Sequence, residues 1–153
     1  MRNKRFIAEH RGGPLAKEQH RQLIKWACDC SEHVMYLLAN VIDYRVASAL
    51  IVAREWENEN ATTGAAMKAA VVAHAAAREF TNPVFAAVAR SAGHAVATAH
   101  MADHSTGAAD YALKAINFSG KSVEDERRWQ DEQLPSEIRE LVLSAREKRH
   151  LKI

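Results

Sequence analysis

From Leu15 onward, apolar residues recur at spacings of three, four and seven: Leu15, Leu23, Ile24, Ala27, Cys28, Val34, Met35 and Leu38. Such a recurrence marks one face of a helix. It predicts a first long helix over LAKEQHRQLIKWACDCSEHVMYLLAN, opened by Pro14 after the GGP break because proline is tolerated in a first turn. The length of this stretch allows an interruption near Ser31. A second helix is expected from the cap Asp43 through YRVASALIVAREWENE, with Val46, Leu50 and Ala53 on one side. Thr62 or Thr63 can cap a third, GAAMKAAVVAHAAAREF, which stops before TNP. Asn82 with Pro83 in the first turn opens a fourth, expected to run to about His104. STGAADYALKAINFSG reads as a fifth, ended by Gly120, and Ser122 followed by Asp125 resembles a capping box for VEDERRWQDEQ. Pro135, with Glu137 in the first turn, opens the last, SEIRELVLSAREKRH.

The pattern therefore predicts an all-α, single-domain bundle of six or seven helices with alanine-rich central helices. Residues 1–13 form an irregular lead and 120–153 a C-terminal helical pair. Composition agrees: of 153 residues 48% are hydrophobic, with only six glycines, three prolines and no alternating Val/Ile/Thr segments. Much of the hydrophobic share is alanine, the best helix former and a small one. Small residues on facing surfaces let helices approach closely.

Charge narrows the function. Net charge is +2, with 21 basic residues interleaved among 19 acidic ones, too mild a balance for a charge-driven nucleic-acid binder. The start MRNKR leads into FIAEHRGG rather than an apolar signal region, and no run approaches the roughly 18 apolar residues of a membrane span. A cytoplasmic protein with no membrane partner is expected. Cys28 and Cys30, two apart on a helix, point to different sides, so they read as buried free thiols. A zinc reading with His33 would lack the ligands of a closed site.

The candidate chemistry lies in HAAAREFTNPVFAAVARSAGHAVATAHMADH. On a continuous helix His100 and His104, four apart, share one side with Asp103 nearby, while His94 lies about 120° away at roughly 100° per residue. His74 and Arg78 make another such pair and offer a partner surface. His100 and His104 are spaced like the histidines of an H-E-x-x-H zinc helix, but Met101 stands where the glutamate base would be. The order Asp103 then His104 also reverses the His-Asp doublet of metal-dependent phosphohydrolases. No nucleophile triad, phosphate-cradling loop or carboxylate pair is evident. The cluster is accordingly read as internal hydrogen-bonding groups that fix helix register, with no cofactor. The alternative is a metal-dependent, hydrolase-like enzyme using His74, His94, His100, Asp103 and His104.

Several segments in combination resemble a known family: RNKRFIAEHRGGPLAKEQHRQLIKWACDCSEHV, VVAHAAARE, ARSAGHAVATAHMADHSTGAADYALKA and ERRWQDEQLPSEIRELVL. Together, over nearly the whole chain, they are similar to immunity proteins of bacterial polymorphic toxin systems. The resemblance implies a small cytoplasmic helical protein that binds and neutralises a cognate toxin and is not an enzyme. It falls on His74, Arg78, Gly93, His94, Thr98, His100, Asp103 and His104, to which the family assigns no catalytic role. Inhibitors of nucleic-acid-cleaving toxins commonly present acidic surfaces, and here only REWENEN and EDERRWQDEQ are locally acidic. Trp56, Arg128 and Trp129 are candidate partner anchors, since such residue types dominate interface energetics. Self-association stays open.

Overall fold

Side chains that satisfy the first free amides set most helix starts, because each helix begins with N–H groups lacking partners inside it. Asp43 Oδ1 accepts from the Arg45 amide at 2.9 Å, Thr62 Oγ1 from Ala65 at 3.0 Å, Asn82 Oδ1 from Val84 at 2.9 Å and Ser122 Oγ from Asp125 at 3.2 Å. The structure, a computed structural model, describes residues 3–150. Residues 1 and 2 of the expected lead and 151–153 of the expected C-terminal pair lie outside the described residues. The described residues form seven α-helices: α1 Lys17–His33, α2 Tyr44–Glu57, α3 Thr63–Glu79, α4 Pro83–Ala97, α5 His104–Phe118, α6 Val123–Glu132 and α7 Ser136–His150. Short 3-10 turns cover Lys4–Phe6, Glu9–Arg11 and Met35–Leu38. Among the described residues no helix is long and apolar enough to cross a membrane.

Two boundaries depart from the sequence pattern at the start of the chain. Pro14 does not open α1: Leu15 instead donates to Ile7 O and accepts from the Glu9 amide, in an isolated bridge between Ala8 and Leu15. The helix begins at Lys17, where Gln19 Oε1 accepts from the Ala16 amide at 3.1 Å. The first helix then ends at His33, and Met35–Leu38 continues as a 3-10 turn. That break falls two residues past the expected Ser31.

A third departure matters for function. α4 ends at Ala97, seven residues short of His104. Two bonds explain the stop. Thr98 Oγ1 turns back to donate to His94 O at 3.0 Å, a local bond that competes with helical geometry. Buried His20 on α1 donates from Nε2 to Thr98 O at 2.6 Å, occupying a carbonyl that a continuing helix would use. The chain turns through 98–103, and His104 becomes the first residue of α5.

α4 sits at the centre, packed chiefly against α5 and α3 and also against α1 and α2. The main core is alanine-dense: Ala66, Ala70, Ala73 and Ala77 of α3, Ala89, Ala92 and Val96 of α4, and Ala108, Ala112 and Ala115 of α5 share one buried cluster, with α4 between the other two helices. A second cluster gathers larger groups, Phe6, Leu23, Trp26, Ile138 and Val142, where α7 closes on α1. Trp26 Nε1 donates to Gln130 O at 2.8 Å, and the Arg146 guanidinium lies 5.1 Å over the Trp26 ring. Cys28 and Cys30 are free and fully buried. Burial pushes the Cys28 thiol up to about 12 and that of Cys30 well above its usual range.

Candidate functional site: a histidine ladder and a basic groove

Two successive helices, α3 and α4, each lay an imidazole against the next. A β-carbon on Gly93 of α4 would come within 2.8 Å of the His74 ring from α3, and one on Gly107 of α5 within 2.8 Å of His94 Nδ1 from α4. The two glycines therefore leave the space in which the rings lie. His74 and His94 meet edge-on at 5.1 Å between centroids, His94 and His104 at 5.1 Å, and His104 and His100 at 5.5 Å. His94 also stacks on Tyr111, with centroids 5.1 Å apart and planes 16° from parallel.

The hydrogen bonds assign protons. Arg90 Nη1 lies 2.8 Å from His74 Nδ1, and a guanidinium only donates, so Nδ1 accepts and the neutral ring carries its proton on Nε2. His94 Nδ1 and His104 Nδ1 are 3.0 Å apart, so one proton lies between two nitrogens and a second would create repulsion. Burial, followed by the charges of His104, His74, Arg90 and Arg149, pushes His94 down to about 4. Burial, then Arg90, lowers His74 in the same direction. Both rings are thus neutral hydrogen-bonding groups at neutral pH.

The sequence-predicted residues come together, though not in the expected register. His94, placed 120° from His100 on one continuous helix, instead contacts His104 because the helix breaks at Thr98. Thr98 itself is fully buried and serves that break. His100, Asp103 and His104 all engage neighbouring groups. Among the described residues, no three His, Cys, Asp or Glu side chains converge in a geometry that could hold a metal ion. His33 likewise turns away from the cysteines, donating from Nδ1 to Glu126 Oε2 at 2.6 Å.

A groove of about 570 Å³ opens along the ladder between α3 and α4. Arg78, Arg90, His74 and His100 stand in its walls, with Met67 and Val71 beside them and no acidic residue. Asp103 lines a second cleft with Thr106, Lys148 and Arg149, which shares His94 and His104 with the groove.

A family model described as Imm-5 like putative immunity protein matches residues 13–137. The chain belongs to that family. No curated protein and no solved structure matches it. Within this member of the immunity family, every wall residue of the α3–α4 groove falls in the matched span, whereas Lys148 and Arg149 of the other cleft lie beyond it.

Of the anticipated anchors in this immunity-family fold, Trp56 and Trp129 are half-buried and Arg128 is exposed. Trp129 stacks on His33 at 3.5 Å with planes 6° apart, and Arg128 reaches Asp125 at 3.6 Å. Trp56 Nε1 donates to Thr63 Oγ1 at 3.2 Å while its ring leans on His20. Sequence reasoning passed over a more exposed set where the turn meets α2: Ile42 in the turn is 76% and Tyr44, the first residue of α2, 78% accessible, and Ala39 earlier in the turn holds φ 53°, ψ −118°, a left-handed conformation costly for a residue with a side chain. Arg90 was also overlooked, although it precedes His94 by four residues, the same spacing that singled out His74 and Arg78.

Proposed function

We propose that this chain is the immunity partner of a bacterial polymorphic toxin, acting in the cytoplasm of the producing cell by binding the toxin and blocking its action without a chemical step of its own. Membership of the immunity family across residues 13–137 carries the reading. Two features of the surface support it. Ile42, in the turn before α2, and Tyr44, the first residue of α2, are both exposed, and large exposed side chains of this kind anchor protein interfaces. The Arg45–Glu79 ion pair ties the start of α2 to the end of α3, so exposed Tyr44 and the groove residue Arg78 flank the same contact. Apolar and basic groups thus share one end of the bundle.

The histidine ladder has an internal task in this reading. An alanine-dense interface offers little shape to fix register, and satisfied buried polar groups specify one arrangement where small apolar groups allow several.

The test is co-expression with the toxin encoded beside this chain's gene. Growth should be restored and the two proteins should co-elute as a complex of defined stoichiometry. Continued killing with no complex, from a folded and expressed chain, would end the proposal.

A further inference from the structure

Most arginines in the described structure are matched to carboxylates: Arg45 to Asp43, Arg54 to Asp29 and Glu32, Arg146 to Asp131, Arg149 to Asp110. Among the described residues Arg11, Arg127 and Arg139 are not, nor are the two in the α3–α4 groove. Arg78 is exposed and has no ion pair or hydrogen bond among the described residues. Half-buried Arg90 has the imidazole of His74 as its partner, which takes a hydrogen bond but supplies no negative charge. The neighbouring carboxylate, Glu79, is engaged by Arg45. Two guanidiniums therefore stand in a groove whose walls contain no acid.

We infer that this groove receives a carboxylate from an acidic segment of the toxin, held between Arg78 and Arg90 and flanked by apolar contact with Met67 and Val71. This rests on the immunity reading and names the chemistry of the partner it requires. Planar guanidinium forks match carboxylates in two-point geometry. The rim is apolar and open, with Val71 66% and Met67 46% accessible. Small-ligand sites enclose most of their ligand, whereas here a free anion would remain wet on one side. A protein segment brings its own covering surface, which excludes water from the ion pair. The polarity is the reverse of an acidic, nucleic-acid-mimicking inhibitor: here the immunity protein supplies the cations.

The experiment measures affinity and association rate for the toxin encoded by the neighbouring gene, using the full chain as wild type, Arg78→Glu, Arg78→Lys and, as a control at an exposed arginine outside the groove, Arg11→Glu. Arg78 is unpaired and exposed, so thermal melting should be unchanged in its variants. Arg78→Glu should weaken binding by about 10- to 100-fold and flatten the dependence of the association rate on salt, as loss of a charge pair requires. Arg78→Lys should retain part of the affinity and Arg11→Glu nearly all. A wild-type chain that binds tightly while Arg78→Glu binds equally well, with the same salt dependence, overturns the groove and leaves the immunity reading standing. A wild-type chain that does not bind at all overturns both. Inorganic phosphate is titrated in parallel: saturable binding that Arg78→Glu abolishes, with toxin affinity untouched, would assign the groove to a small anion and overturn the inference.

Discussion

Three helical glycines put the ladder to a direct test, because replacing each by alanine makes the same chemical change in different surroundings. In a helix interior alanine is favoured over glycine by about 1 kcal/mol. At Gly64 the nearest atom to a new β-carbon is Thr62 Oγ1 at 3.9 Å, ordinary contact, so Gly64→Ala should stabilise by up to about 1 kcal/mol. At Gly107 the new carbon would stand 2.8 Å from His94 Nδ1 and 3.2 Å from its Cγ. Cγ lies on the axis of χ2, so rotating the ring about that bond leaves this contact in place. Moving the whole side chain sacrifices the 3.0 Å approach to His104 and the stack on Tyr111. A hydrogen bond at about 1 kcal/mol and an aromatic contact at about 0.5–1.5 kcal/mol outweigh the gain in helix propensity. Gly107→Ala should therefore destabilise by about 1 kcal/mol net. Gly93→Ala falls between, because the atoms it meets are the outer edge of His74, which can swing into the groove by giving up Arg90. Urea unfolding followed by circular dichroism measures all three. In a His94→Ala background the obstruction is gone, and Gly107→Ala should become stabilising, a coupling of about 2 kcal/mol across the cycle. If Gly107→Ala instead stabilises the wild-type chain as Gly64→Ala does, His94 is not seated against α5 and the ladder is wrong.

Other consequences can be measured on the same protein. His94 has a folded pKa of about 4, depressed from an unfolded value near 6.5, so the folded state binds fewer protons and its stabilisation, complete above the unfolded pKa, is lost as pH falls from about 6.5 to 4; with screening for a partly exposed ring this amounts to about 2 kcal/mol, read as the difference between wild type and His94→Gln in unfolding at pH 7 and 4.5, and equal pH slopes would contradict it. Arg146→Ala strips partners from buried Gln130 and from Asp131, at 2.6 and 2.9 Å, and should cost about 3 kcal/mol in denaturant unfolding; a loss below about 1 kcal/mol would show that the network is not structural. Cys28 and Cys30 should resist a thiol reagent at pH 8 and react only as urea unfolds the chain, since burial holds both thiols protonated and out of reach. Added Zn²⁺ or Mn²⁺ should leave the melting temperature unchanged, because the imidazoles stack and hydrogen-bond rather than converge; a rise saturating at micromolar metal would argue for a metal centre.

Four of the helix starts were legible because their causes are local. Asp43, Thr62, Asn82 and Ser122 each cap amides two or three residues away, and a cap leaves its mark in the sequence beside the helix it opens. The end of α4 was not legible for the opposite reason. No glycine or proline stands at Thr98, and the bond that takes its carbonyl comes from His20, 78 positions earlier. The same holds for the site. His74, His94 and His104 could be picked out as residue types, but the pairing of His94 with His104 depends on that long-range stop.

The break is also what gives the groove its third wall. Had α4 run on to His104, His100 and His104 would have shared one helix face and His94 would have pointed elsewhere. By ending α4 at Ala97, the His20–Thr98 bond moves His104 onto α5, and α5 then carries Gly107 under the His94 ring. The neutral imidazoles, Arg90 and the two glycines form one interlocked set, and Arg78 projects beside it without a carboxylate of its own. Groups that satisfy one another explain the rigidity of the three-helix contact. They do not explain why two guanidiniums were left uncompensated next to exposed Val71 and Met67, since a glutamate in either helix could neutralise them at little structural cost. An unneutralised basic pair beside apolar surface makes physical sense when the missing charge arrives on another molecule.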